Sequence, residues 1–335
     1  MTKQVLDFIV IGAQKSGTTS LFEYLRRHPG LCLPAAKEVP YFSHDANYGS
    51  DWSEYLRKAF AFADPACQWG TVTPQYTVGG IYDAAREADG SPIESDERTV
   101  PLRIHDRLPQ VRLIAILRDP VQRARSHHAM AAMNGWDTRP FPQAVRELLG
   151  ADALLSARRT ADETTGYVVW GEYGRILAGY LEAFPREQLL VLFTNELRDQ
   201  PQAVLRRVFE FIGVDPEFVP DNLGTNYRES GASRRVGWLD LNTLQAAASS
   251  NAAVRGLWHA LPEPARRRVD TRFDRLNYLL SLWNRRSGSA GAEPDPETET
   301  DRALREHYAP DAVRLAELFD VTAPWAGDPP SATGA

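Results

Sequence analysis

The sequence predicts an α/β protein: a single domain in which a parallel β-sheet is flanked by helices. Three runs carry that reading, FIVIG (8–12), VRLIAIL (111–117) and QLLVLFTNEL (188–197). Each holds an unbroken apolar stretch of strand length, the pattern of a strand buried on both faces. Each leads into a helical pattern, and strands alternating with helices give a parallel sheet.

The elements follow in order. After the first strand, TTSLFEYLRRHPG (18–30) places Leu21, Tyr24 and Leu25 on one helical face, and His28, Pro29 and Gly30 stop it. The second strand is followed by VQRARSHHAMAAM (121–133), where the adjacent His127 and His128 point to different faces and so share no metal. The third precedes PQAVLRRVFEFIG (201–213), an amphipathic helix closed by glycine. Two stretches break the rhythm: EADGSPIESDER (87–98) reads as a surface excursion, and NRRSGSAGAEPDPETETD (284–301) as a mobile or disordered loop. RALREHYAPDAVRLAELF (302–319) is a helix or a helix–turn–helix. The domain is expected to span 1–325, with a disordered tail at 326–335.

Composition narrows the function. With 335 residues, 43% hydrophobic and 24% charged, the chain has the make-up of a globular domain. A net charge of −6 argues against nucleic acid or an anionic membrane as partner, since both require a broad cationic surface. There is no apolar run of about 18 residues to span a bilayer, and MTKQVLDFIVIG lacks the layout of a signal peptide. Cys32 and Cys67 are spaced like neither a zinc site nor a disulfide framework, so a cytoplasmic location is expected.

The first strand runs into GAQKSGTTSL, where Gly12 and Gly17 bracket four residues as in a phosphate-binding loop between strand and helix. Glycines let backbone N–H groups curl around an anion, and the next helix aims its positive end at it. A nucleoside triphosphatase places lysine directly after the second glycine, followed by a magnesium-binding hydroxyl. Here Thr18 takes that position and Lys15 lies inside the loop. The second strand ends in Arg118, at the strand end where open α/β sheets bind ligands and suited to bidentate contact with a second phosphate. The pattern calls for a nucleotide phosphorylated at two separate places, held without metal.

That combination resembles the sulfotransferases that use 3′-phosphoadenosine 5′-phosphosulfate (PAPS). GAQKSGTTSL matches their 5′-phosphosulfate loop, which assigns Gly12, Gln14, Lys15, Ser16, Gly17, Thr18 and Thr19 to the donor; LRDPVQRARSH matches their 3′-phosphate segment, with Arg118 and Ser126 as the clasp. KEVPYF (37–42) and the following GSDWSEYLRKAF look like the segment that carries the catalytic glutamate in heparan sulfate and related bacterial enzymes, which falls on Glu38. TPQY (73–76) matches a substrate-side motif, and the likeness covers roughly residues 6 to 214 with a weaker echo at 301–325.

The resemblance implies a P-loop-like sulfotransferase fold and in-line sulfuryl transfer, leaving 3′,5′-adenosine bisphosphate (PAP). Lys15 then stabilises the leaving oxygen and Glu38, shielded by Val39, Tyr41 and Phe42, is the general base with His44 in reserve. Lys37, Tyr41, Phe42, Trp52, Pro74 and Tyr76 are the acceptor-side candidates, and Arg234 or Arg235 contributes near the 3′-phosphate. The plainer alternatives are a surface ion pair between Glu38 and Lys37, aromatic residues that belong to the core, and an ordinary exposed basic pair at 234–235. Val72 stands where several heparan-type enzymes carry lysine, which weighs against a glycosaminoglycan and towards a small-molecule or sugar acceptor. The competing functions are a P-loop kinase or NTPase and a catalytically silent nucleotide-binding module.

Overall fold

A computed structural model of the chain describes residues 5–61, 63–78, 98–225, 227 and 298–326. Its sheet has five parallel strands, β1 (Phe8–Gly12), β2 (Leu31–Cys32), β3 (Gln68–Val72), β4 (Arg112–Leu117) and β5 (Leu189–Phe193), in the order β2-β3-β1-β4-β5. Ile9 of the central strand lies opposite Thr71 on one side and Leu113 on the other. All of β1 is buried, as its unbroken apolar run requires of a strand covered on both faces. The chain goes from β1 to β2 at the edge, returns to β3 beside β1 and then crosses to β4 on the other side of β1, so the order reverses between β1 and β4. The carboxyl ends of those two strands are where an open sheet offers a binding crevice.

Helices α1 (Thr18–Leu25), α2 (Asp45–Tyr48), α3 (Trp52–Ala59), α4 (Thr99–Arg107), α5 (Pro120–Met133), α6 (Phe141–Leu148), α7 (Ala151–Arg158), α8 (Tyr173–Leu181), α9 (Thr194–Asp199), α10 (Pro201–Ile212) and α11 (Glu299–Phe319) surround it. α1 buries Leu21, Tyr24 and Leu25 as its spacing predicts, together with Thr18 and Phe22. α10 ends on Gly213 at φ 86°, a left-handed conformation that favours glycine.

The structure departs from the sequence reading in two places. The third strand stops at Phe193, because the Glu196 carboxylate accepts the Phe193 N–H at 3.2 Å and starts α9, so 194–197 are helical. Of the two readings for 302–319 the structure has the single helix, which continues through Pro310. It is clamped to α8, where Asp311 accepts the N–H groups of Gly174 and Arg175, both at 2.8 Å. A Cβ at Gly174 would lie 2.5 Å from the Asp311 carbonyl oxygen, so only glycine permits this approach.

Second, the end of the stretch expected to be mobile is ordered. Thr298 caps α11 by accepting the Asp301 N–H at 3.2 Å, and Arg125 grips Asp301 through two bonds of 2.8 and 2.6 Å. The expectations for 87–97, 284–297 and 327–335 fall outside the described residues. The chain divides into two units, Met1–Thr225 with Pro296–Ala335 and Asn226–Asp295, and every element named above belongs to the first. Among the described residues no helix is long and apolar enough to cross a membrane. Cys32 and Cys67 are half-buried free thiols, and burial, with Cys67 close by, pushes Cys32 up to about 12.

Candidate active site

The loop between β1 and α1 is shaped by its backbone. Lys15 at φ 66° and Gly17 at φ 90° both adopt the left-handed region. Gly17 is the N-cap of α1 and supplies no side-chain cap. The first-turn N–H groups of a helix have no acceptor inside it, so those of α1 face the loop, where an anion would satisfy them. The ends of β4 and β5 grip the loop. Ala13 N–H donates to the Ile116 carbonyl at 2.8 Å, and the Arg118 guanidinium donates to the Lys15 carbonyl at 3.3 Å. The Thr194 hydroxyl, just past β5, lies 2.7 Å from the Ser16 carbonyl and 3.0 Å from that of Leu117, one hydrogen shared between two acceptors.

Arg118 leaves β4 half-buried, and burial lowers its pKa without discharging it. Its second nitrogen donates to Gln122 Oε1 at 3.4 Å. Gln122 and the buried Ser126 are four residues apart on α5 and share a face. Asp119 caps α5 by accepting the Val121 and Gln122 N–H groups at 2.9 and 3.2 Å. Arg118, Gln122 and Ser126 therefore form a polar strip that leads away from the loop.

On the β3 side, residues 37–44 are pinned by side chains. The Tyr55 hydroxyl donates to the Val39 carbonyl at 2.8 Å and Arg103 to that of Phe42 at 3.2 Å. Asn47 donates to the Pro40 carbonyl. The Tyr76 oxygen accepts the N–H groups of Tyr41 at 3.0 Å and Phe42 at 3.4 Å. Glu38 emerges from this segment with its side chain 40% exposed, its carboxylate accepting from Lys37 Nζ at 2.7 Å and from Gln75 Nε2 at 2.5 Å.

Gln75 belongs to the 3-10 turn Pro74–Thr77, which follows β3 and packs directly on the phosphate loop. A Cβ at Gly12, whose φ is 156°, would sit 2.3 Å from Thr77 Oγ1. Gly12 thus allows the turn to close on the loop, and through Gln75 the turn fixes Glu38 with respect to it.

Tyr41, Phe42, Trp52, Pro74 and Tyr76 are buried, the core placement that the sequence left open beside an acceptor-side role. Tyr41 and Trp52 rings meet edge-on at 4.8 Å, and the Tyr180 hydroxyl donates to the Tyr76 carbonyl at 2.6 Å. The Glu38 carboxylate has polar company. The ion pair with Lys37 forms, but Gln75 joins it.

Val72 is fully buried in β3 opposite Val10, a packing position. His44 is the N-cap of α2 with Nδ1 3.2 Å from the Ser43 hydroxyl. Gln14 turns its amide towards Glu163, at 3.1 Å from both carboxylate oxygens. Arg234 and Arg235 lie outside the described residues, though the chain leading to them is tied to α1 through Tyr24 to the Thr225 carbonyl at 2.9 Å. Sequence reasoning missed Gln75, Thr77, Gln122 and Thr194. Of these Thr194 carried a signal, a hydroxyl at the carboxyl end of a strand.

The arrangement offers a cation inside an anion cradle, an arginine-led strip beside it and an anchored carboxylate on the opposite side. The sulfotransferase domain family matches residues 6–229. The human heparan sulfate glucosamine 3-O-sulfotransferase 5 is 28% identical over 228 residues, 68% of this chain and 58% of that protein. The human bifunctional heparan sulfate N-deacetylase/N-sulfotransferase 3 is 29% identical over 225 residues, 63% of this chain and 22% of that one. The chain thus spans 58% or less of these relatives' length. A crystal structure of a sulfotransferase from Alicyclobacillus acidocaldarius has the same fold, with a TM-score of 0.60 at 20% identity, covering 96% of this chain and 98% of that one. With the loop, the strand-end arginine and the five-stranded sheet in place, the chain belongs to the sulfotransferase family.

Proposed function

We propose that this chain moves a sulfuryl group from PAPS to a hydroxyl, or an amine, of a small-molecule natural product or sugar. The observation that carries the reading is a lysine within, not after, the glycine-bracketed loop, with Arg118 at the end of the neighbouring strand. The residues fit such a donor. An uncapped α1 and the left-handed Gly17 suit a 5′-phosphosulfate, and the strip from Arg118 to Ser126 suits a 3′-phosphate.

When bound, the donor supplies an activated sulfuryl group on a phosphate oxygen. The chain's residues do the rest. N–H groups of Gly17, Thr18 and Thr19, with the Ser16 and threonine hydroxyls, hold the 5′ end, and Arg118 and Ser126 hold the 3′-phosphate. Lys15 offsets the charge that develops on the leaving oxygen, a contribution whose removal costs about 10² to 10³ in rate. Glu38 takes the acceptor's proton, worth about 10² to 10⁴. Lys37 pairs with it, and Gln75 sets its direction. His44 remains the reserve base.

Charge supports a small acceptor over a polysulfated chain. The net charge is −6, and arginines 57, 103, 125, 139, 158 and 206 each meet a carboxylate. A polyanion would have to compete with those partners.

A screen with labelled PAPS against alcohols, phenols, amines, sugars and heparan sulfate tests this. The expected result is label on a small hydroxyl or amine, with Glu38→Gln retaining PAP affinity and losing about 10² to 10⁴ in kcat. Tighter binding of magnesium-ATP than of PAP would return the chain to the nucleotide kinases. PAP binding with no labelled acceptor would leave a silent module.

A further inference from the structure

A hydrogen-bonded chain of side chains runs from the interior of α5 to the phosphate loop. Arg123 is fully buried, donating to the Tyr167 carbonyl and lying 3.4 Å from His127 Nδ1. His127 is also fully buried, with Nε2 2.8 Å from Glu163 Oε2. Burial first, and Arg123 and Lys15 after it, lower its pKa to about 4 against the pull of Glu163, so near neutrality the ring carries one proton. A carboxylate only accepts, so that proton sits on Nε2 and Nδ1 accepts from Arg123. Glu163 in turn receives the Gln14 amide on both oxygens at 3.1 Å. The polarity runs one way, from a buried cation through a neutral imidazole to a carboxylate that holds the residue preceding Lys15.

Glu163 is itself held in place. Asp162 Oδ1 accepts the Thr164 N–H at 2.7 Å and the Thr165 N–H at 3.2 Å, and Gly166 N–H closes the turn on the Asp162 carbonyl at 3.0 Å. Arg139 donates to the Thr164 carbonyl at 2.9 Å while pairing with Asp137 at 2.7 Å. That much scaffolding around a carboxylate 23% exposed exceeds what a solvated surface glutamate needs. The chain starts on the helix that carries Ser126 and ends in the loop that carries Lys15, so it spans the two phosphate pockets of the proposed donor site.

We propose that Glu163 is a positioning residue which, backed by His127 and Arg123, holds Gln14 and thereby sets Lys15 with respect to the 3′-phosphate helix. The inference rests on the PAPS reading for its catalytic consequence, but not for its mechanical one. Glu163→Gln keeps the shape and can still accept from His127, yet it turns an amide donor towards the Gln14 amide donor. In the ligand-free full-length variant, backbone hydrogen exchange in a peptide covering 13–20 should speed up about tenfold, while the β4 peptide stays at the wild-type rate. With PAPS and acceptor, kcat should fall about 10- to 100-fold with PAP affinity kept within about threefold. Gln14→Leu and the double variant should be no slower than Glu163→Gln alone, as expected of residues acting in series.

Wild-type exchange in 13–20, or exchange accelerated throughout the sheet, overturns the proposal. So do additive losses in the double variant. Failure of the wild type to bind PAP would sink the donor reading, while the exchange experiment would still decide whether Glu163 holds the loop.

Discussion

The donor side of the site is built from backbone, whereas the side that carries Glu38 is built from side chains. Residues 12–19 owe their shape to two left-handed residues, a helix start and contacts from the ends of β4 and β5. Residues 37–44 have no regular structure of their own before α2, and they are fixed by Tyr55, Tyr76, Asn47 and Arg103 reaching in from other elements. A backbone cradle suits a ligand that never changes. A loop held by side chains can be re-cut by substitution, which suits the acceptor, the variable partner. The two meet at Gly12, where the Pro74–Thr77 turn touches the phosphate loop.

The comparison breaks most visibly at Lys15. Lys15→Ala removes a charge while leaving the loop's N–H groups, so transfer should fall about 10² to 10³ and calorimetric PAP binding should persist. Loss of both together would show that the cradle does not hold the donor without its cation. Arg118→Ala should come next. PAP binding should weaken about 10- to 100-fold by loss of a charged hydrogen-bonding partner, much more than that of a nucleotide lacking the 3′-phosphate in a parallel titration. Equal weakening of both would move the 3′ pocket elsewhere.

Gly12→Ala strikes the junction itself. The new methyl meets Thr77 at a backbone conformation that favours glycine, and the fold should lose about 3 kcal/mol, read as a lower Tm. Adding Thr77→Ala should recover part of it. No recovery would mean that the backbone conformation, and not the turn, makes glycine necessary there.

This division also explains what could be read from the chain alone. The loop, the place of Arg118 at a strand end, and β1, β4 and β5 were legible because glycine spacing and unbroken apolar runs are local properties, tied to geometry by sequence neighbours, whereas the two-residue β2 and the mixed QWGTV of β3 carry no such run. β1 lies at the boundaries its sequence suggests. The side carrying Glu38 was legible only in outline. KEVPYF located Glu38, but whether Tyr41 and Phe42 face a ligand or the core depends on Tyr76, 35 residues away from Tyr41, and no periodicity in a six-residue loop encodes that. Gln75 was hidden for the same reason, and Glu163, 149 residues from Gln14, has no local signal at all. Thr194 was misread because an apolar strand and the first turn of a helix join without a glycine or proline between them.

The smallest effect tests the side-chain half of the comparison. Tyr76 is buried, and burial pushes its pKa up to about 12, so its phenol stays protonated and its oxygen is available to the Tyr41 and Phe42 N–H groups. Tyr76→Phe keeps the ring packing and strands those two donors away from water, which costs about 1 to 3 kcal/mol for a buried polar group left unmade. The Tm should fall accordingly and kcat should fall several-fold as the segment carrying Glu38 loosens, while PAP binding stays at the wild-type value because the donor cradle does not use Tyr76. If PAP binding weakened in step with kcat, the two sides would not be independent, and the turn at Pro74–Thr77 would have to be counted as part of the donor cradle.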